Sequence, residues 1–586
     1  MIQDKFVIWG TGKISQNFYA LISECDFCSS ILWGEKITKR IAYFVDSNSD
    51  KIGGEFKGHS IKTVETLLDS DIVCVVAISE GNRVEVVRKL EERSDNRSIP
   101  YFIFDEFLEE LKNCMVEKVI NDDNAVEKLM KYKDDKIVSY LLNIVRLEDN
   151  NLSMRQFENI DNVQFISTVS TLCWRYGNKV SQIPKHFNLE KKNNNFGQKI
   201  KTIGLFSRRM FGGGAERVVA HLTDIFLKKG HNVILLTEED DENDYRLSPD
   251  VIRYRISELS LLSIERRLYE IEKCVKENNI DILCYHYGEE HPEIYYEALF
   301  LNYLGVQTVM ELHTSFLSRI QYSKQNFNNI IRLYKCMDKL VVLSEVDKLF
   351  WQLLGCDCTF IPNPTEGIVD KNSIGRYKKN ESLNILWVGR VVQKAKNVLD
   401  VVPIMKKVVK QIPNAKLNIY GSADDKYIYK KLQQLIEEEG MCNHIFYQGY
   451  TKDINEVYNS ADILLITSSV EGYPYVVLEG KARGIPIVMY DLPWIEALQD
   501  GLGYIAVAQG DKTGAAEEII RLYENPSLRE TKSYEAIESY NTLCARDIYS
   551  YWENLFRGKK LFEEQNTNNS MIVRMLLREL GIAVIE

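Results

Sequence analysis

The sequence predicts an α/β protein built from three doubly wound parallel sheets, and three observations carry that expectation. Short apolar runs of strand length recur along the 586 residues, separated by amphipathic stretches of helix length. That rhythm belongs to parallel strands joined by crossover helices. It breaks and restarts twice, and several strands run straight into a glycine turn or a charged loop, where such sheets bind ligands.

Length alone implies several domains, because a single core stops growing beyond about 250–300 residues. A hydrophobic content of 45% and a charged content of 27% are ordinary for globular chains. The net charge of −11, with no basic stripe interleaved with aromatics, argues against a nucleic-acid partner. A local basic patch remains compatible with peripheral contact at the inner membrane face. No apolar run approaches the ~18 residues of a spanning helix. The opening MIQDKFVIWGTG has an early acid and enters a strand at once, unlike a signal peptide, so a cytoplasmic location is expected. Among the 12 cysteines only Cys25/Cys28 and Cys356/Cys358 lie close together. Neither pair has a second pair or a His couple at zinc spacing, so they read as small core residues and no metal site is expected.

The first module, residues 1–111, contains the strands KFVIW, IAYFVD, DIVCVVAIS and PYFIF, with GTGKISQNFYALI as a turn and helix. Residues 112–198 show helix-like patches and end in the polar run NLEKKNNNFGQK, which reads as a linker. The rhythm restarts over 199–375 with KTIGLF, the helix ERVVAHLTDIFLKKGH, NVILLT, DILCYHY, VQTVMELH and DKLVVLS. It restarts again over 376–542 with LNILWVG, KLNIYG, HIFYQG, DILLIT, PIVMY and GYIAV. Residues 543–586 read as a helix, RDIYSYWENLF, followed by a polar tail.

Three stretches carry candidate chemistry. In SSVEGYPYVVLEGKARGIPIV, Glu471 lies in a loop off a strand, Pro474 fits the first turn of the helix that runs through YVVLEGKAR, and Glu479 lies over a turn into that helix. An acid beside Val476, Val477 and Leu478 costs free energy unless something pairs with it. Each carboxylate can accept two hydrogen bonds, which suits a sugar diol, and the helix amino end favours an anion. In WVGRVVQKAKN, Arg390 and Lys396 follow a strand and together suit a diphosphate. In FGGGAERVV, Gly212, Gly213 and Gly214 let backbone N–H groups approach a ligand between a strand and a helix.

Taken together and in order, these residues resemble the retaining GT-B glycosyltransferases of family 4, over about Lys199 to Arg557. The family's two-glutamate motif matches Glu471 and Glu479, its diphosphate-binding pair matches Arg390 and Lys396, and its GG-x-E-R loop matches Gly213, Gly214, Glu216 and Arg217. The sequences IPNP at 361–364 and DLPWIEALQDGLGYIAV match as well. The resemblance implies a twin-lobe fold with a central cleft, a nucleotide-diphosphate sugar as donor, and a glycan or lipid-linked acceptor. It implies that Glu479 grips the donor ribose and Glu471 the transferred sugar. His286 in DILCYHY would lie near the reacting sugar, and His313 in MELHTS is a second cleft histidine. Retention is likewise implied by the resemblance. Two positions depart from the family: Gly480 and Lys481 replace a usual Ala and Met, and Gly421, Ser422 and Ala423 replace a Gly-x-Gly.

No cofactor or metal is required in this reading, because Arg390 and Lys396 with a helix amino end meet the leaving-group charge. The D-x-D at Asp69 and Asp71 lies far in sequence from the cleft. The first module resembles Rossmann-like units found beside sugar-modifying enzymes. Gly10, Gly12 and Asp46 make a partial dinucleotide fingerprint, with Ser15 in place of the third glycine. Asp46 lies 34 residues past Gly12 rather than the ~20 expected. Two alternatives remain: a non-catalytic nucleotide-sugar binding protein, and an NAD-dependent sugar oxidoreductase led by the first module.

Overall fold

A computed structural model describes residues 4–558 except 69–71, 92–98, 151–160, 178, 184–198, 259–262, 288–290, 292, 323–326, 366, 370–381 and 452–453. Asp69, Asp71 and the polar run at 189–198 fall outside the described residues, as does the expected boundary at 375. The chain divides into two compact units, residues 1–190 with 258–269, and residues 191–257 with 270–586.

The first unit holds a six-stranded sheet. Its strands are β1 (Phe6–Trp9), β2 (Ile41–Val45), β3 (Glu55–Phe56), β4 (His59–Lys62), β5 (Val73–Val76) and β6 (Tyr101–Ile103), in the order β3-β4-β2-β1-β5-β6. All four residues of β1 are buried, as expected of a central strand covered on both faces. The β3–β4 pair is antiparallel, and its two-residue turn places Lys57 at φ 53° and Gly58 at φ 80°. Positive φ at both turn residues matches the twist of a tight hairpin. This hairpin was not anticipated, because Lys-Gly is a weaker turn signal than Asn-Gly. Helix Phe104–Ile120 runs through the expected boundary at residue 111. Leu111, Met115 and Val116 on that helix share one core with Phe6, Phe18, Leu141 and Trp174, so the helices beyond 111 belong to the same packed unit.

The second unit holds two parallel sheets. The seven-stranded sheet contains β7 (Thr202–Phe206), β8 (Asn232–Thr237), β9 (Ile252–Arg255), β10 (Ile282–Tyr285), β11 (Gln307–Glu311), β12 (Lys339–Val342) and β13 (Cys358–Phe360). Its order is β13-β12-β11-β10-β7-β8-β9. The six-stranded sheet contains β14 (Asn384–Val388), β15 (Lys416–Tyr420), β16 (Ile445–Gly449), β17 (Ile463–Ile466), β18 (Ile487–Tyr490) and β19 (Tyr504–Val507), in the order β16-β15-β14-β17-β18-β19. Strand order reverses between β7 and β10 in one sheet and between β14 and β17 in the other. These are the switch points at which open α/β sheets bind ligands beyond their strand ends.

The last two described helices cross back between the lobes. Helix Pro526–Cys544 packs on the six-stranded lobe, where Tyr540 and Leu543 join Val477 and Leu478 in one core. Helix Ile548–Phe556 then seats on the seven-stranded lobe. Its Trp552 ring meets Phe226 edge to face at 5.6 Å, and Tyr549 Oη lies 2.8 Å from His231 Nε2. The expected boundary at 542 thus falls inside a continuous helix, and the last described helix is a strap between lobes. Among the described residues no helix is long and apolar enough to cross a membrane.

Candidate functional site

The loops that follow the switch-point strands hold most of the candidate residues. The 389–397 loop after β14 contains two positive-φ positions, Ala395 at 71° and Asn397 at 47°. Strain of this kind persists where the surroundings over-determine it. Here the neighbouring loop after β17 pins it: Ser469 N donates to Ala395 O at 2.8 Å, and Thr467 Oγ1 donates to Lys396 O at 2.7 Å. Asn397 Nδ2 in turn donates to Thr467 O at 3.1 Å. The result aims Lys396 Nζ at Glu471 Oε1, which also accepts from Ser468 Oγ at 2.6 Å. Trp494 Nε1 donates to the Glu471 carbonyl at 3.1 Å, fixing the loop from the other side.

Arg390 stands in the same loop, exposed; its carbonyl accepts from Val392 N at 2.9 Å, and its side chain makes no hydrogen bond or ion pair among the described residues. A Cβ on Gly421 would lie 1.8 Å from Gly389 O, so the first glycine of the Gly-Ser-Ala variant is kept by loop-to-loop contact.

Glu479 sits in helix Tyr475–Ala482, which Pro474 precedes as its cap rather than opening its first turn. Both of its oxygens are engaged. Arg217 Nη1, from the opposite lobe, donates to Oε1 at 2.6 Å, and Tyr458 Oη donates to Oε2 at 2.7 Å. The Arg217 guanidinium also lies over the Tyr475 ring at 5.1 Å. Gly213 caps helix Gly214–Lys228, and a Cβ on Gly214 would sit 3.4 Å from the Tyr475 ring. A Cβ on Gly472 would sit 2.4 Å from His313 O, so only glycine lets the two loops approach this closely.

His286 and His313 meet at the ends of β10 and β11. His286 Nδ1 lies 3.3 Å from His313 Nε2, with the rings stacked 5.5 Å apart. Glu311 lies between them, 3.4 Å from His286 Nδ1 and 4.0 Å from His313 Nδ1. The His286 side chain is 0% exposed and His313 is 11% exposed, so His313 presents the open edge. Burial holds His286 well below the usual imidazole range, with His313 adding to the effect, and holds His313 at about 4. Burial alone pushes the Glu311 carboxyl up to about 8. Burial thus favours the uncharged form of all three groups. The sequence reading foresaw no metal site, yet these three side chains offer ligand atoms within 4.8 Å of one another.

The remaining candidates lie in the first unit. Gly10 has φ 118° and packs under Ala77 O, which a Cβ would approach to 2.7 Å. Gly12 caps helix Lys13–Glu24. Asp46 accepts from Thr11 Oγ1, from Lys51 Nζ at 3.3 Å and from Asn48 N at 2.9 Å. Its oxygens are thus satisfied by neighbours within the unit, and Gly10 is explained by packing.

Three participants are not evident as site residues from the sequence: Arg217 stands out only as a motif position, and Glu311 and Tyr458 match no motif. Glu311 carried the same signal as Glu479, an acid inside an apolar run. Tyr458 carried no local signal, because its partner lies 21 residues away.

Two parallel lobes with facing switch points, and a cleft that joins a glycine loop, a basic loop and two glutamates, define a GT-B glycosyltransferase. Residues 212–366 match the family model described as Glycosyltransferase Family 4, and residues 382–525 match Glycosyl transferases group 1. An uncharacterized glycosyltransferase of Haemophilus influenzae is 27% identical over 50% of this chain and 81% of its own length. The N-acetyl-alpha-D-glucosaminyl L-malate synthase of Bacillus anthracis is 24% identical over 59% of this chain and 93% of its own. Among solved structures, S. aureus TarM in complex with Fondaparinux, alpha-GlcNAc-glycerol and UDP aligns with a TM-score of 0.51. That alignment has 14% identity and covers 61% of this chain and 100% of TarM.

Proposed function

We propose that this glycosyltransferase moves a sugar from a nucleotide-diphosphate sugar to a glycan or lipid-linked acceptor, with retention and without a divalent ion. The observation that carries the reading is the pair of charge contacts lining one cleft, Lys396 with Glu471 and Arg217 with Glu479. The donor sits on the six-stranded lobe, its diphosphate drawn to Arg390 and Lys396. A diphosphate competes with Glu471 for Lys396, which frees the carboxylate for the transferred sugar. Glu479 accepts from the ribose hydroxyls, and the glycine loop at Gly213 and Gly214 approaches from the other lobe. Charge that develops on the leaving phosphate is met by Arg390 and Lys396, both drawn onto the diphosphate when the donor binds. His313, backed by His286, faces the reacting sugar. The acceptor enters on the seven-stranded lobe.

A UDP-sugar is the first donor class to test, since the TarM structure contains UDP. A thermal-shift panel of UDP-, GDP- and ADP-sugars tests the reading directly. A ligand at 100 times its dissociation constant stabilises by ~2.7 kcal/mol, which shifts the transition measurably. If no nucleotide sugar shifts it and none is hydrolysed, the reading fails.

A further inference from the structure

We propose that Glu311 is a positioning residue that holds the His286 and His313 imidazoles in the orientation His313 presents to the donor sugar. The inference rests on the reading of these histidines given above. Strands β10 and β11 pair in parallel with Tyr285 opposite Met310, so the next residues, His286 and Glu311, are cross-strand neighbours. Glu311 and His313 are two apart on an extended chain and therefore project to one side. One carboxyl thus spans the Nδ1 atoms of both rings, at 3.4 and 4.0 Å. An imidazole without such a partner can flip about its ring axis and exchange its nitrogen and carbon edges. His286 Nδ1 also lies 3.3 Å from His313 Nε2, so the carboxyl packs against a facing pair of rings, and its oxygens favour the nitrogen edges over the carbon edges a flip would present.

Packing alone gives no reason for an acid here. Glu311 is 2% exposed, and among the described residues no lysine or arginine pairs with it. Its Oε2 lies within ion-pair reach of His286 but is not aligned as a hydrogen bond, and His286 Nε2 is likewise buried without a partner. The other titratable groups that sense this carboxyl, Cys284 and Tyr475, supply no positive charge. A leucine would fill the same space at lower cost.

The test measures hydrolysis of UDP-glucose and UDP-N-acetylglucosamine by the full chain carrying Glu311→Leu, Glu311→Asp or Glu311→Gln. The outer partner of a metal-bound imidazole is typically worth about 10–100-fold, and the lower end of that range is the scale expected for the longer contacts here. Glu311→Leu is expected to lower kcat by that factor with donor KM unchanged. Glu311→Gln, which keeps the length and a hydrogen-bonding end, recovers most of the loss. Glu311→Asp, which withdraws the carboxyl by one methylene, does not. The Asp variant keeps the test open if the Leu variant fails to fold. Equal kcat in all three variants would overturn the proposal, as would an equal fall accompanied by a lowered Tm. So would activity lost in chelator and restored by Zn2+, which would make the cluster an ion site. His286→Ala and His313→Ala serve as controls. If both match the native chain, the reading of the histidines has failed. If they are impaired and Glu311→Leu is not, only this proposal has failed.

Discussion

Glu479 is held at both oxygens, so a donor ribose bound there as proposed would share a carboxylate that Arg217 and Tyr458 already orient. Such a contact exists equally in the ground and transition states, and its loss weakens binding. Glu479→Gln is therefore expected to raise donor KM more than it lowers kcat. In the proposed reading Glu471 faces the sugar, where positive charge develops as the bond to phosphate breaks, so Glu471→Gln is expected mainly to lower kcat. Losing a charged hydrogen bond costs roughly 1.5–3 kcal/mol, or about ten- to a hundredfold. Steady-state kinetics of both variants with saturating acceptor check the pair, and a reversed pattern exchanges their roles. The sequence made both acids visible, because each interrupts an apolar context or a loop beside one. It left their partners unseen, since Arg217 lies 262 residues from Glu479 and Lys396 lies 75 from Glu471.

Helix Tyr475–Ala482 shows how an element is tied into its lobe. Lys481 is 0% exposed, and its Nζ donates to Ala497 O at 2.7 Å and to Ser539 Oγ at 2.6 Å. The lysine that departs from the family pattern thus joins three segments of one lobe. Burial lowers its pKa from 10.5 to about 8, against the opposing pull of Asp500. Between about pH 8 and 10.5 the unfolded chain holds a proton that the folded chain has released, so stability rises with pH through that window. Below it both forms are charged and the penalty of burial is complete. Lys481→Met should flatten the rise, and chemical-denaturation midpoints at pH 7.5 and 10 for both chains measure the difference. Strands such as β1, β7 and β17 were legible because each is a short apolar run between turn signals. The β3–β4 hairpin was less so, because a Lys-Gly turn beside two short, mostly polar strands leaves little pattern.

On the scale of the whole molecule, the proposed departure of a diphosphate without an ion rests on Arg390 and Lys396, which share one loop beyond the switch point of the six-stranded lobe. Activity is accordingly expected to survive exhaustive chelation, measured as product formation before and after EDTA and after added Mn2+ or Mg2+. Loss in EDTA with recovery in either metal would overturn the ion-free reading. The twin-lobe plan was readable from the order of motifs along the chain. The membership of residues 258–269 in the first unit was not, because hydrophobic rhythm reports neighbours in sequence and this segment finds its unit through distant contacts such as Tyr140 Oη to Glu265 at 2.6 Å.

The strap formed by Ile548–Phe556 has a consequence for biosynthesis. The seven-stranded lobe is translated first, yet Phe226 and Val219 share their core with Trp552, Leu555 and Phe556. At about 5–20 residues per second, a ribosome needs tens of seconds to travel from the first of these side chains to the last. Throughout that interval the nascent lobe exposes an apolar face that nothing yet covers, which makes it a client for holding chaperones. Stopping translation just before Ile548 should yield a chain that aggregates or stays chaperone-bound, although every candidate cleft residue has already been made.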